Sequence, residues 1–220
     1  MDQLKNKKIL ITAGPTWVPI DEVRVITNIF KGTLGSIIAK EAAKRKAKAT
    51  LLLGSEPVNF SLKTSRNLRI IRFKFFKELF RLMKKEISSQ RYDAVIHSAA
   101  VADYAPQKSY CGKIKSGRDN LMIKLKPTIK IVDKIKKWDP SIFLVKFKVE
   151  FNLQKKKLID RSFKSMILSS ADLMVANDLK DMTEKGHKAF IIDTNKKIIP
   201  CNQKKEIANN ILDVIAKRLP

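Results

Sequence analysis

Cysteine is scarce in this chain. Cys111 and Cys201 are the two among 220 residues, far apart and without the CxxC or Cys/His spacing of a zinc site. That usage suits a reducing compartment. No apolar run approaches the roughly 20 residues a membrane span needs. Ile9 to Ala13 follows Lys5, Lys7 and Lys8, yet it is too short for a signal-peptide core and turn residues follow at once. A cytoplasmic protein is the expectation. Internal repeats, low-complexity linkers and the GxxxxGKS/T phosphate loop are all absent. Acidic residues are few as well: 21 Asp plus Glu against 46 Lys plus Arg gives a net charge of +25 and a pI near 10.1. Such a balance raises nucleic acid, membrane surfaces and phosphorylated metabolites as partners. The lysines are spread along the chain rather than gathered on one helix or tail, so they read as solvated surface, with no nucleic-acid and no membrane partner.

The stretch from Lys8 to Lys48 organises the rest. Ile9, Leu10 and Ile11 form a short apolar run rich in β-branched residues, which predicts a buried strand of a parallel sheet. The strand stops at Ala13-Gly14-Pro15-Thr16. About 18 residues after Gly14, Gly32-Thr33-Leu34-Gly35 opens a segment with Ile37, Ile38, Ala42 and Ala43 at helical spacing. Ala49 to Leu53 is the next strand, and such a unit places its first connection at the carboxyl edge where α/β sheets bind ligands. A turn is expected at Gly54-Ser55-Glu56-Pro57, a strand over Ile70–Phe73, an amphipathic helix over Lys77–Ile87 and a buried strand over Asp93–Ile96. His97-Ser98-Ala99-Ala100-Val101-Ala102-Asp103 follows, small enough for a ligand to approach the backbone. Residues from about 105 to 125 lack periodicity and read as a mobile flap. Further on, the pattern predicts a helix over Ile129–Trp138, a strand from Ile142 into Lys146–Glu150, a helix over Leu153–Ser169 and a strand over Asp172–Ala176 ending in Asn177-Asp178. A hairpin across Thr194-Asn195 and a last helix carrying Ile207, Ile211, Val214 and Ile215 complete the chain. The expectation is a single α/β domain over residues 1–220, Rossmann-like and three-layered, its mostly parallel sheet ending in an antiparallel C-terminal edge.

Glycines ahead of a helix can supply backbone N–H groups for phosphate, with Lys31 and Lys113 supplying charge. A nicotinamide-dependent reductase would show a tighter glycine turn and an acidic residue ending the second strand, where Leu53-Gly54-Ser55 stands instead. Tyr104 and Lys108 have the YxxxK spacing of short-chain reductases, but Pro106 between them opposes the helix that pair needs. His97 reads as a structural histidine at a strand end with a base as the rival role. Asp21, Arg24 and Asn28 are polar loop residues whose default reading is turn formation.

Taken in order and at these separations, ITAGPTWVPIDEVRVITN, HSAAVADYAP, GKIKS, KFKVE and AND resemble the phosphopantothenoylcysteine synthetase family, in its standalone bacterial form without a decarboxylase domain in front. The resemblance spans Ile9 to the final helix. It implies a two-step ligase of coenzyme A biosynthesis: the carboxylate of 4′-phosphopantothenate attacks the α-phosphate of CTP, or ATP, and cysteine's amine then displaces the nucleotide. It further implies Mg²⁺, small-molecule substrates and a homodimer. By position it assigns Asn28, Arg24 and Lys113 to catalysis. Gly14, Thr16, Gly32, Gly35, Ala99, Asp103, Thr128, Ile129, Lys130, Ile131, Phe147 and Lys164 are assigned to nucleotide binding, and the metal ligands are left unassigned. Four departures stand out. Trp17 replaces an arginine, FKGTLG replaces SSGKMG, Lys146 replaces a glycine and is expected to narrow the base pocket, and Leu168 replaces a lysine. A binding module without turnover and a Rossmann-type NAD(P) reductase are the alternative readings.

Overall fold

A computed structural model describes residues 3–55, 62–89, 91–108, 110–117, 119–183 and 186–219. Glu56 and Pro57 of the expected turn, and Ser109 and Arg118 of the flap, lie outside the described residues. The elements follow in order: β1 (Lys8–Ala13), β2 (Val18–Pro19), β3 (Val25–Ile26), α1 (Thr33–Lys44), β4 (Lys48–Gly54), β5 (Leu68–Phe73), α2 (Phe76–Ser89), β6 (Ala94–His97), β7 (Tyr104–Pro106), β8 (Leu125–Pro127), α3 (Val132–Trp138), β9 (Phe143–Glu150), α4 (Lys155–Leu168), β10 (Leu173–Met182), β11 (His187–Asp193), β12 (Ile198–Cys201) and α5 (Lys204–Arg218).

The main sheet has the order β12-β11-β10-β9-β6-β1-β4-β5, parallel from β5 through β10 and antiparallel over β11 and β12. Alternating side chains feed two cores. Ile9, Ile11, Leu51 and Leu53 pack with α1 and α5, while Leu10, Leu52, Val95 and Leu144 pack with α2, α3 and α4. Burial on both faces is why these strands are continuous apolar runs, and truncating Leu10 or Leu52 to alanine costs about 2–5 kcal/mol. The edge strand β12 tolerates Pro200.

Three expectations on the elements are corrected. The helix expected from Ile129 begins at Val132, with Ile131 at its N-cap. The strand expected to stop at Ala176 runs on to Met182, because β11 pairs with it as far as Met182↔His187. Parts of the flap are regular: β7 and β8 pair as its base, with Tyr104 opposite Pro127.

Candidate active site

Counting only the parallel strands, their spatial order is 3-2-1-4-5-6, which reverses direction between β1 and β6. In such sheets the crevice at the carboxyl ends of the two strands flanking the reversal takes the ligand. Here the loops leaving β1 and β6 are bonded to each other. Ala100 N–H donates to Gly14 O at 3.0 Å, Thr16 N–H donates to Ala100 O at 3.2 Å and Ala102 N–H donates to Thr16 Oγ1 at 2.9 Å. Asn28 comes back from the far end of its loop and donates Nδ2 to the same Ala100 carbonyl at 2.9 Å. Thr128 extends the array, donating Oγ1 to Ala102 O at 2.6 Å and its N–H to Asp103 O at 2.9 Å. Lys130 Nζ lies 2.6 Å from Asp103 Oδ1, both side chains in solvent. Gly14, Thr16, Asn28, Ala99, Asp103, Thr128 and Lys130 therefore share one rim.

Beneath the rim, Thr12 Oγ1 accepts Ala99 N–H at 3.0 Å and sits 3.0 Å from His97 Nδ1. Burial, aided by the nearby Lys146 ammonium, pushes His97 down to about 4. A neutral imidazole bonded across β1 and β6 fixes the two strand ends, which is the structural role expected of it. Gly32 and Gly35 also act by packing. Gly32 has φ +80°, and a Cβ there would fall 2.4 Å from Gly14 N, while one on Gly35 would fall 2.6 Å from Ala13 Cβ. Glycine is required so that α1 can rest its first turn against the end of β1.

The second group lies over the β2–β3 hairpin. Asp21 is no simple turn former: its carboxylate is out of solvent and accepts from Val23 N–H (2.9 Å), Arg24 N–H (2.7 Å), Ile114 N–H (3.0 Å) and the Arg24 guanidinium. Desolvation would raise its pKa, but those donors, led by Ile114, outweigh it and hold the group down at about 2. Tyr110 N–H donates to Ile20 O at 3.2 Å. Arg24 and Lys113 thus belong to one bonded unit of hairpin and flap. At the departure Trp17, Lys74 Nζ stands 4.5 Å from the ring centroid, so a cation is retained beside that position.

Other assigned residues are placed apart. Ile131 is wholly buried in the α2–α4 core, leaving only its backbone to meet a ligand, whereas Ile129 is exposed. Phe147 packs half-buried against the opposite core, on the α1–α5 face. Lys164 is exposed on α4, nine residues beyond Lys155, about 13 Å down the helix axis from the end that follows β9. Lys146 does not project into the rim. Its ammonium donates to Ser165 O and Ser169 Oγ at the last turn of α4, at 2.9 and 3.0 Å, so it narrows no pocket with its charged end. Leu168 is exposed. Asn177 and Asp178 are buried within β10, where Asp178 accepts Asn152, Leu153 and Lys180 N–H and ties down the turn into α4.

The reversed-order sheet and the bonded loops above β1 and β6 define a Rossmann-like α/β domain with a polar rim at the carboxyl edge of its sheet. Residues 4–219 match the DNA/pantothenate metabolism flavoprotein C-terminal domain, and the chain belongs to that family. It is 34% identical over 217 residues to the coenzyme A biosynthesis bifunctional protein CoaBC of Thermococcus kodakarensis, covering 98% of this chain and 52% of that protein. The chain spans about half the length of the curated CoaBC relatives it matches. Among solved structures, the DNA/pantothenate metabolism flavoprotein of Streptococcus pneumoniae superposes with a TM-score of 0.88 at 30% identity, over 96% of this chain and 99% of that one. A Cab2 mutant in complex with phosphopantothenate-cysteine shares the fold at 17% identity, with a TM-score of 0.78 over 97% of this chain and 87% of that one. Among the described residues no helix is long and apolar enough to cross a membrane.

Proposed function

We propose that the chain is a phosphopantothenate–cysteine ligase acting through an acyl-nucleotide, with CTP or ATP as co-substrate. The observation that carries the reading is the meeting of Asn28, Thr16 and the Ala99–Asp103 loop at Ala100, in a chain of this family. Family membership makes the substrates of its CoaBC relatives the first to test.

In the first step a carboxylate oxygen of 4′-phosphopantothenate bonds to the nucleotide's α-phosphorus and pyrophosphate leaves. In the second, cysteine's amine adds to the acyl carbon, the acyl–phosphate bond breaks, and the amide and nucleoside monophosphate are released. The rim suits both. The small side chains of Ala99 and Ala100 let phosphate and ribose approach the backbone. In the exposed pair, Asp103 offers a carboxylate to ribose hydroxyls and Lys130 a cation to phosphate. Asn28 Nδ2 carries two hydrogens, one bonded to Ala100 O and the other free for the acyl-phosphate oxygens. Lys113 and Arg24 bring positive charge from the flap and hairpin. Magnesium belongs to the same reading as an ion that would be carried on substrate phosphates and water, where it would neutralise phosphate charge. A homodimer belongs to the same reading.

The test mixes tag-free protein with 4′-phosphopantothenate, cysteine, Mg²⁺ and either CTP or ATP, and measures pyrophosphate and amide product. Lys113→Gln should lower turnover more than nucleotide binding. Absence of pyrophosphate with both nucleotides would refute the assignment.

A further inference from the structure

Asp21 divides its two carboxylate oxygens between two tasks. Oδ1 takes the N–H groups of Val23 and Arg24, closing a local turn of the β2–β3 hairpin. Oδ2 takes the Arg24 guanidinium and the N–H of Ile114, which is 93 residues away on the flap. Two more contacts flank this one. Gly112 O accepts Glu22 N–H at 3.5 Å, and Ile114 O lies 3.4 Å from Arg24 Nη1. Lys113 stands between Gly112 and Ile114, so its backbone is held on both sides by the hairpin residues Asp21, Glu22 and Arg24. The Ile114 side chain is itself buried. One buried carboxylate thus fixes both cations assigned to the reaction, Arg24 directly and Lys113 through its neighbour.

We propose that Asp21 is a positioning residue whose Oδ2 latches flap residues 112–114 to the hairpin and so sets where Lys113 and Arg24 stand relative to the rim. This rests on the ligase reading for its kinetic consequence, though not for the latch itself. A buried carboxylate that bonds four donors has little freedom to shift, and a displacement of about 1 Å in a positioned charge is enough to cost on the order of 100-fold in rate.

Asp21→Asn tests the division of labour. With its oxygen in the Oδ1 place, asparagine keeps the hairpin turn. Its NH₂ group then faces the Ile114 N–H and the Arg24 guanidinium, donor against donor, and the latch opens while the turn survives. Amide hydrogen exchange followed at Ile114 should show a slowly exchanging N–H in the wild-type chain, accelerated by about tenfold or more in the variant, while amides of β1 and β6 are unchanged. Kinetics should show kcat reduced by about 10- to 100-fold with the nucleotide KM within about threefold. Free exchange at Ile114 in the wild type, or equal protection in the two proteins, overturns the latch; that wild-type measurement needs no folded variant. Unaltered kcat, or a changed KM with kcat intact, overturns the positioning role. Should the wild type release no pyrophosphate with CTP or ATP, the ligase reading fails on its own, and exchange at Ile114 still decides whether Asp21 holds the flap.

Discussion

Asn28 gives one hydrogen of its side-chain amide to the carbonyl oxygen of Ala100, which lies 72 residues further along the chain and also accepts the N–H of Thr16. One carbonyl thus gathers the loop after β1, the end of the α1 approach and the loop after β6. Asn28→Asp keeps the size and removes the donor, setting a carboxylate against a carbonyl oxygen and, on the proposed ligase reading, beside an acyl-phosphate. Overall product formation should fall by about 10²-fold or more. Acyl-nucleotide and amide are measured separately, and a product rate equal to wild type would remove Asn28 from the reaction.

Thr16 is buried, and its Oγ1 accepts the N–H of Ala102. Thr16→Val matches the shape and leaves that N–H without a partner, a cost of about 1–3 kcal/mol. Urea unfolding should show the loss, with nucleotide binding weakened too because Ala102 precedes Asp103. Thr16→Ser retains the oxygen and should stay close to wild type. Equal stability of the valine variant would mean that the Ala102 N–H finds water or another acceptor.

Much of this was legible before the structure, and particular residues show why. Leu10 and Leu52 are buried on a sheet covered on both sides, so their strands had to be unbroken apolar runs, which local pattern reveals. Gly32 and Gly35 announced the start of α1, although what they serve is contact with Ala13 and Gly14. The two-residue strands β2 and β3 carry no periodicity at all, since their pairing is set by the loops around them. Asp21 makes the local turn of any ordinary turn former, and its second oxygen acquires meaning only through Ile114. Asn177 and Asp178 look like a ligand-facing strand end until β11 extends the ladder past them.

The two histidines of the chain make a clean pH probe. His97 is buried against Thr12, and His187 Nε2 lies 2.6 Å from the Asn177 side-chain amide. Burial, with Lys146 near the first and Lys204 near the second, brings each down to about 4. Between about pH 4 and 6.5 the unfolded chain takes up protons that the folded chain refuses. Stability is therefore complete above about 6.5 and declines as the pH falls toward 4, by up to about 3 kcal/mol for each histidine. Tag-free protein should give two imidazole NMR signals, each titrating near 4. A midpoint near 6.5 for either would show that its ring is open to water.

Gly32 and Gly117 separate strain from packing, because their φ values are +80° and +84° while their surroundings differ. At Gly117 no atom of the described residues lies within 4 Å of an added Cβ, so Gly117→Ala meets the left-handed backbone penalty of about 1–2 kcal/mol. In a loop that penalty is relieved by local adjustment, and the melting temperature should move by a few degrees at most. At Gly32 the same methyl falls 2.4 Å from Gly14 N and 2.7 Å from Gly14 Cα, both backbone atoms of the rim. The clash can be relieved only by lifting the start of α1 off β1 or by displacing Gly14, whose carbonyl holds Ala100. Gly32→Ala should therefore lose about 3 kcal/mol or more and disturb the rim together with the fold. Paired thermal melts read the difference: equal losses in the two variants would mean that α1 does not sit on Gly14, and the close approach assigned to these glycines would have to be given up.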